Sequence, residues 1–160
     1  MVKPHSPLQG VGKTALGVAM VRARESRRND RLFDDPYAQA FVDAAPGAFP
    51  GEPTSAGDLA ALGPLASLGA VFCFHAVLRT RFFDDYLRTA TVAGCRQVVL
   101  LAAGLDSRAF RLPWPDDVRV FELDLPEVLA CKEAELAASY GRHVPGPSGG
   151  GFLTAVRAGR

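Results

Sequence analysis

Three carboxylates and one glycine in the second half of the chain have a spacing that suits nucleoside binding. Gly104 and Asp106 lie in a short segment after an apolar run, and Glu122 and Asp124 stand 18 and 20 residues beyond Gly104. Glycine lets the backbone approach a ligand where a Cβ atom would collide. A carboxylate about 20 residues further on can accept hydrogen bonds from both hydroxyls of a ribose. The spacing therefore leaves two interpretations open, a nucleoside site and a polar strand end without a ligand.

The number of glycines indicates which kind of nucleoside fits. Residues 102–104 contain one glycine, and Ala109 stands at the helix-packing end of the turn, so the G-x-G-x-x-G pattern is absent. The pyrophosphate of a dinucleotide would have a poorer cradle here, because that pattern supplies its close backbone approach. The turn therefore disfavours a nicotinamide cofactor and favours a nucleoside without phosphates, such as S-adenosylmethionine.

A βαβ unit is predicted to position these residues at the carboxyl end of its strands. Its strand, helical segment, second strand and second helix are expected at 97–102, at 108–112, at 118–124 and from Pro126 onward. The first strand is a continuous apolar run, which predicts burial on both faces. Alternation along the second strand places Glu122 and Asp124 on one face, where they would act together or divide the work. The following helix has Val128, Leu129, Lys132 and Leu136 at helical spacing.

The chain before this unit is predicted to be helical over residues 1–94. Residues 14–44 are interpreted as helices with Thr14 as N-cap, and Ala15, Val18, Ala19 and Arg22 lie at helical spacing. The basic run over 22–31 is interpreted as a solvated face. A loop is expected at 45–64, and a further helix from about Leu65 to Thr91 ends before Gly94.

Composition sets limits on the class of protein. The chain has 160 residues, is 48% hydrophobic and carries a net charge of +1, which predicts a globular domain and gives no bulk field for nucleic acid or an anionic membrane. The nearly uncharged stretch 59–78 is interpreted as a buried helix, not a membrane span, with His75 as a core histidine. The three cysteines are expected to be buried thiols, and no His or Cys spacing suits a metal. No secretory signal is visible, so we expect a cytoplasmic protein.

Three ordered blocks carry a family resemblance. They read LFDDPYA at 32–38 within a block starting at Gly12, RTRFFDDY at 79–86, and QVVLLAAGLDSRAFRL at 97–112 continued by FELDLP at 121–126. Together they resemble the leucine carboxyl methyltransferase-like family of S-adenosylmethionine-dependent methyltransferases, in its actinobacterial O-methyltransferase branch. The resemblance implies an α/β, Rossmann-like class I methyltransferase fold, with a parallel sheet, helices on both faces and an N-terminal helical cap.

The resemblance also implies roles for individual residues. An arginine would bind the carboxylate of S-adenosylmethionine. Arg79 is the better match for this role, and Arg81 is the second candidate. The turn with Ala102, Gly104 and Asp106 would lie along its methionine part, and Asp124, with Glu122 beside it, would hold the ribose. The implied reaction methylates a carboxylate or hydroxyl oxygen of a small molecule or peptide, and no catalytic base is named because an ionised carboxylate needs none.

The end of the chain departs from the family pattern. Residues 141–160 are rich in glycine and proline and predict no further strand, so residues 95–140 would form only the first part of the sheet. We expect a truncated or frame-shifted member whose exposed sheet edge favours self-association. The alternatives are a non-catalytic interaction module, or less favourably a nicotinamide-dependent oxidoreductase.

Overall fold

The structure, a computed structural model, describes residues 11–46, 63–140 and 153–154. Its helices and strands follow one another as α1 Val11–Ser26, α2 Ala38–Asp43, α3 Pro64–Val92, β1 Gln97–Leu101, α4 Arg108–Arg111, β2 Arg119–Leu123, α5 Pro126–Tyr140 and β3 Leu153–Thr154. In the described ranges, helices precede a parallel βαβ unit, which confirms the predicted mixed α/β fold class. Most of the predicted loop at 45–64 lies outside the described residues.

The strands form a parallel sheet in the order β1-β2-β3. Val98 lies opposite Val120 and Leu100 opposite Glu122, so the carboxyl ends of β1 and β2 meet at one edge. The short β3 continues the sheet beyond β2, with Leu153 opposite Phe121. The prediction of no strand in 141–160 is therefore wrong at 153–154, because a two-residue strand leaves no periodicity to detect. The rest of that tail lies outside the described residues.

Two buried clusters hold these elements together. One joins α1, α2 and α5 to the segment after β1, through Leu16, Ala19, Tyr37, Phe41, Leu105 and Leu136. The other lies on the sheet and comprises Val98, Ala109, Leu112, Trp114, Val118 and Val120. The first cluster seats the helical layer on the segment that follows β1, which is where the candidate site lies.

The exposed apolar side chains correct two predictions about burial. Val98 is buried in β1, but Val99 and Leu101 are 54% and 74% exposed, so β1 is not covered on both faces as the apolar run predicted. On α3, Leu68 and Phe74 are about two thirds exposed, and His75 is exposed too. The prediction of a buried helix with a core histidine is therefore wrong for the described part of that stretch. No described helix is long and apolar enough to cross a membrane.

Smaller corrections concern α1 and the cysteines. Helix α1 begins at Val11, so Thr14 lies inside it and is not an N-cap. Arg22 is only 4% exposed, which contradicts a solvated face at that position, although the later arginines of the basic run are exposed. The cysteines are free, and none of them is fully buried, with Cys95 exposed.

Candidate functional site

The segment after β1 forms a tight turn with left-handed backbone at two positions. Ala102 and Gly104 have φ angles of +50° and +52°. A Cβ atom on Gly104 would stand 3.3 Å from the Cβ of Ala15 on α1 and 3.9 Å from Oδ2 of Asp124. Glycine is thus favoured at 104 both by the left-handed backbone and by the close approach of α1. We call residues 102–106 the glycine turn.

Ala102 stores strain in the glycine turn, because a residue with a Cβ atom pays about 1–2 kcal/mol for left-handed backbone. We expect Ala102→Gly to raise the free energy of unfolding by about 1 kcal/mol, measured by urea denaturation. The matched control is Ala103→Gly, where φ is not positive and the side chain is buried. We expect Ala103→Gly to lower the free energy of unfolding. Equal losses of stability from the two substitutions would contradict backbone strain at Ala102.

Asp124 ties the end of β2 to the glycine turn. Its Oδ2 accepts a hydrogen bond from the backbone N–H of Gly104 at 2.6 Å, and its Oδ1 accepts one from the N–H of Leu125 at 2.7 Å. The side chain is partly buried. A carboxylate has about four acceptor positions, so each oxygen retains acceptor capacity after these two bonds. These remaining acceptor positions therefore fit a ligand that presents a pair of hydroxyl donors.

Glu122 does not share this environment. Its side chain is 2% exposed and pairs with Lys132 on α5 at 2.7 Å, while its Oε1 lacks a hydrogen-bond partner among the described residues. Burial raises the pKa of Glu122, and the positive charge of Lys132 opposes that rise. Of the two expected alternatives, acting together or dividing the work, these contacts favour the second, because Lys132 engages Glu122 and the glycine turn engages Asp124.

Asp106 is engaged by an arginine that follows it closely. Its Oδ1 accepts a bond from the N–H of Arg108 at 2.8 Å, and its Oδ2 pairs with the same residue's guanidinium. Burial alone would raise the pKa of Asp106, but the charges of Arg108 and Arg22 outweigh it and hold the pKa below its ordinary value. Its stabilising contribution is therefore present above about pH 4 and is lost as the pH falls through the lowered pKa.

The two predicted arginines lie on the exposed part of α3. The guanidinium of Arg79 stands 5.3 Å from the centre of the Phe83 ring. Arg81 donates to Asp85 at 2.7 Å and to the carbonyl oxygen of Leu32 at 2.8 Å. The structure brings together Ala102, Gly104, Asp106 and Asp124 around the glycine turn. In the described part of the chain, no hydrogen bond or ion pair joins Arg79 or Arg81 to this turn.

A cavity of about 380 Å³ opens beside Arg81. Its walls come from the loop between α1 and α2, from α3 and from α4, and they include Phe33, Tyr37, Asp84 and Arg111. Ala102, Gly104 and Asp124 do not line it. The cavity and the glycine turn are thus neighbouring but separate features, joined through α4.

A buried charged cluster that sequence reasoning missed connects these features. Asp35 pairs with Arg22 at 3.1 Å and accepts a hydrogen bond from Ser107 Oγ at 2.6 Å. Asp84 pairs with Arg108 at 2.8 Å and with Arg111 at 2.7 Å. The sequence carried part of the evidence for this cluster, because Arg22 lies on the apolar stripe of α1, where a charged residue indicates a buried partner. In the described ranges, no group of three or more His, Cys, Asp or Glu side chains is arranged to hold a metal.

The parallel βαβ unit and its glycine turn define the class, an α/β protein with a Rossmann-like fold. A family model described as leucine carboxyl methyltransferase matches residues 15–146. The chain belongs to the leucine carboxyl methyltransferase family. This confirms the resemblance carried by the three sequence blocks.

Curated relatives extend the comparison. A protein of Frankia alni is 60% identical over 127 residues, 79% of this chain and 42% of the relative. One of a Parafrankia species is 58% identical over 129 residues, 81% and 40% of the two chains. One of Saccharopolyspora erythraea is 51% identical over 131 residues, 82% and 43%. Each is named "Putative S-adenosyl-L-methionine-dependent methyltransferase". The chain spans about two fifths of the length of these relatives.

Proposed function

We propose that this chain binds S-adenosylmethionine at the glycine turn and Asp124, and serves the transfer of a methyl group to a carboxylate or hydroxyl oxygen of a small molecule or peptide. Family membership and the names of the relatives support the cofactor. The family description also favours a carboxylate acceptor. The proposed setting is the cytoplasm.

The hydrogen bond from Gly104 N–H to Asp124 carries the proposal. It links the carboxyl ends of the two strands, where ligands of open parallel sheets bind. It also orients the carboxylate while leaving acceptor positions for a ribose diol, and hydrogen bonds to an ionised carboxylate are among the stronger ones in proteins. The lack of a G-x-G-x-x-G pattern argues in the same direction, against a dinucleotide.

The proposed reaction requires little proton transfer by the protein. The bound cofactor supplies a sulfonium methyl group, and an acceptor carboxylate is already ionised at neutral pH, so it attacks without a general base. Binding and orientation then carry the catalysis. Arg79 remains our candidate for the cofactor's carboxylate in preference to Arg81, because Arg81 is already engaged by Asp85 and the Leu32 carbonyl.

Calorimetric titration of the folded chain with S-adenosylhomocysteine tests this proposal. We expect saturable binding with one site, and no binding of NAD⁺ at the same concentrations. The reverse order of affinities would support the oxidoreductase alternative and contradict the proposal. Circular dichroism before and after the titration establishes that the chain is folded during the measurement.

A second candidate function is non-catalytic association through β1. The strand lies at one end of the described sheet order, and its Val99 and Leu101 are exposed. Unpaired strand edges and apolar faces promote pairing with another chain. Light scattering during gel filtration tests this candidate. A concentration-dependent dimer that Val99→Lys disrupts would support association, and a monomer at all concentrations would contradict it.

A further inference from the structure

The carbonyl oxygens of the glycine turn are held by two buried cations from different helices. Arg22 on α1 donates from Nη2 to the carbonyl oxygen of Leu105 at 2.6 Å. Lys132 on α5 donates from Nζ to the carbonyl oxygen of Asp106 at 3.2 Å. With Asp124, just after β2, on the N–H of Gly104, side chains from three parts of the chain hold three consecutive residues of the turn.

Both cations are removed from water. Arg22 is 4% exposed and Lys132 is 1% exposed, and each is balanced by a buried carboxylate, Asp35 at 3.1 Å and Glu122 at 2.7 Å. A buried ion pair is on its own a weak source of stability, because desolvation offsets much of the attraction. Both pairs share a second feature, since each cation also donates a hydrogen bond to a backbone oxygen of the same turn.

We propose that Arg22 and Lys132 are positioning residues for the cofactor. They fix the carbonyl side of the glycine turn, so that Gly104 and Asp124 keep the arrangement that a nucleoside requires. Neither residue needs to touch the ligand. The inference rests on the proposed function for its binding consequence, but its structural part concerns the free protein.

Loss of this positioning has a measurable consequence in the free protein and in its complex with the ligand. In the free protein, the hydrogen bonds from Ala103 N to Leu123 O and from Asp106 N to Ala103 O open more often once the carbonyl side is released. In the complex, ligand binding must order the turn, which we expect to weaken the affinity for S-adenosylhomocysteine about tenfold.

Paired variants separate positioning from stability. Asp35→Asn removes the ion pair of Arg22 but keeps the hydrogen bond from Arg22 to the Leu105 carbonyl oxygen. Asp35→Asn combined with Arg22→Met removes the ion pair and this hydrogen bond, and it leaves neither charge of the pair buried. Hydrogen exchange of the free proteins is followed at Ala103 and Asp106, with Val98 and Val120 as references for global stability. Relative to these references, we expect about tenfold faster exchange in the double variant than in the single one.

The same comparison is made for Lys132→Met in a Glu122→Gln background against Glu122→Gln alone, and all four variants are titrated with S-adenosylhomocysteine. Equal exchange and equal affinity within each pair would overturn the proposal and leave the cations a purely structural role. If the unaltered chain fails to bind S-adenosylhomocysteine, the proposed function fails, while the exchange data still decide whether the two cations position the turn.

Discussion

Asp124→Ala is expected to weaken binding of S-adenosylhomocysteine about 100-fold or more. The substitution removes the acceptor for both ribose hydroxyls, and hydrogen bonds to a charged group contribute about 1.5–3 kcal/mol each. It also releases the N–H of Gly104, which Asp124 holds at 2.6 Å. Isothermal titration calorimetry of the full chain measures the loss.

Two further variants serve as comparisons for Asp124→Ala. Asp124→Asn retains one oxygen acceptor, so we expect a smaller loss of affinity than with alanine. Asp117→Ala removes an aspartate that is 62% exposed and pairs with Arg96 away from the turn, and we expect unchanged affinity there. An Asp124→Ala protein that folds and binds as tightly as the Asp117→Ala protein would contradict the assignment of the site.

Asp84→Ala is expected to lower the free energy of unfolding by about 3–5 kcal/mol, the range for removing one partner from a buried ion pair. Asp84 is 3% exposed and accepts bonds from Arg108 at 2.8 Å and from Arg111 at 2.7 Å. Without it, two largely buried guanidinium groups lose their shared counter-charge. Urea denaturation followed by circular dichroism measures the change.

The neighbouring aspartate supplies the matched control. Asp85 pairs with Arg81 four residues before it on α3, and both side chains are 49% exposed. We expect Asp85→Ala to change stability by less than about 0.5 kcal/mol, because exposed ion pairs along a helix contribute little. Similar losses from Asp84→Ala and Asp85→Ala would show that the buried cluster does not hold the helical layer to α4.

The elements around the site could be predicted because each has a local cause. The apolar run 97–102 predicted β1, which spans Gln97–Leu101, and Pro126 predicted the start of α5. The glycine turn followed from Gly104 and its distance along the chain to Asp124. Such signals need only neighbouring residues and the preferences of the backbone.

The partners of the charged residues could not be predicted, because they depend on contacts between distant parts of the chain. Arg22 reaches Leu105, 83 residues away, and Ser107 reaches Asp35, 72 residues away. The partner of Glu122 was missed for the same reason, because Lys132 lies on the following helix. A charged residue on an apolar helical stripe, as at positions 22 and 132, was the available sign of a buried pair.

A titration of the ¹⁵N-labelled full chain with S-adenosylhomocysteine, followed by two-dimensional NMR, tests whether the ligand binds at the glycine turn. We expect saturable shifts of the backbone amides of the glycine turn and of Leu125, which neighbours Asp124, with Gly94 just after α3 unaffected. A folded chain whose shifts are absent, or are confined to the cavity beside Arg81, would contradict binding at this turn.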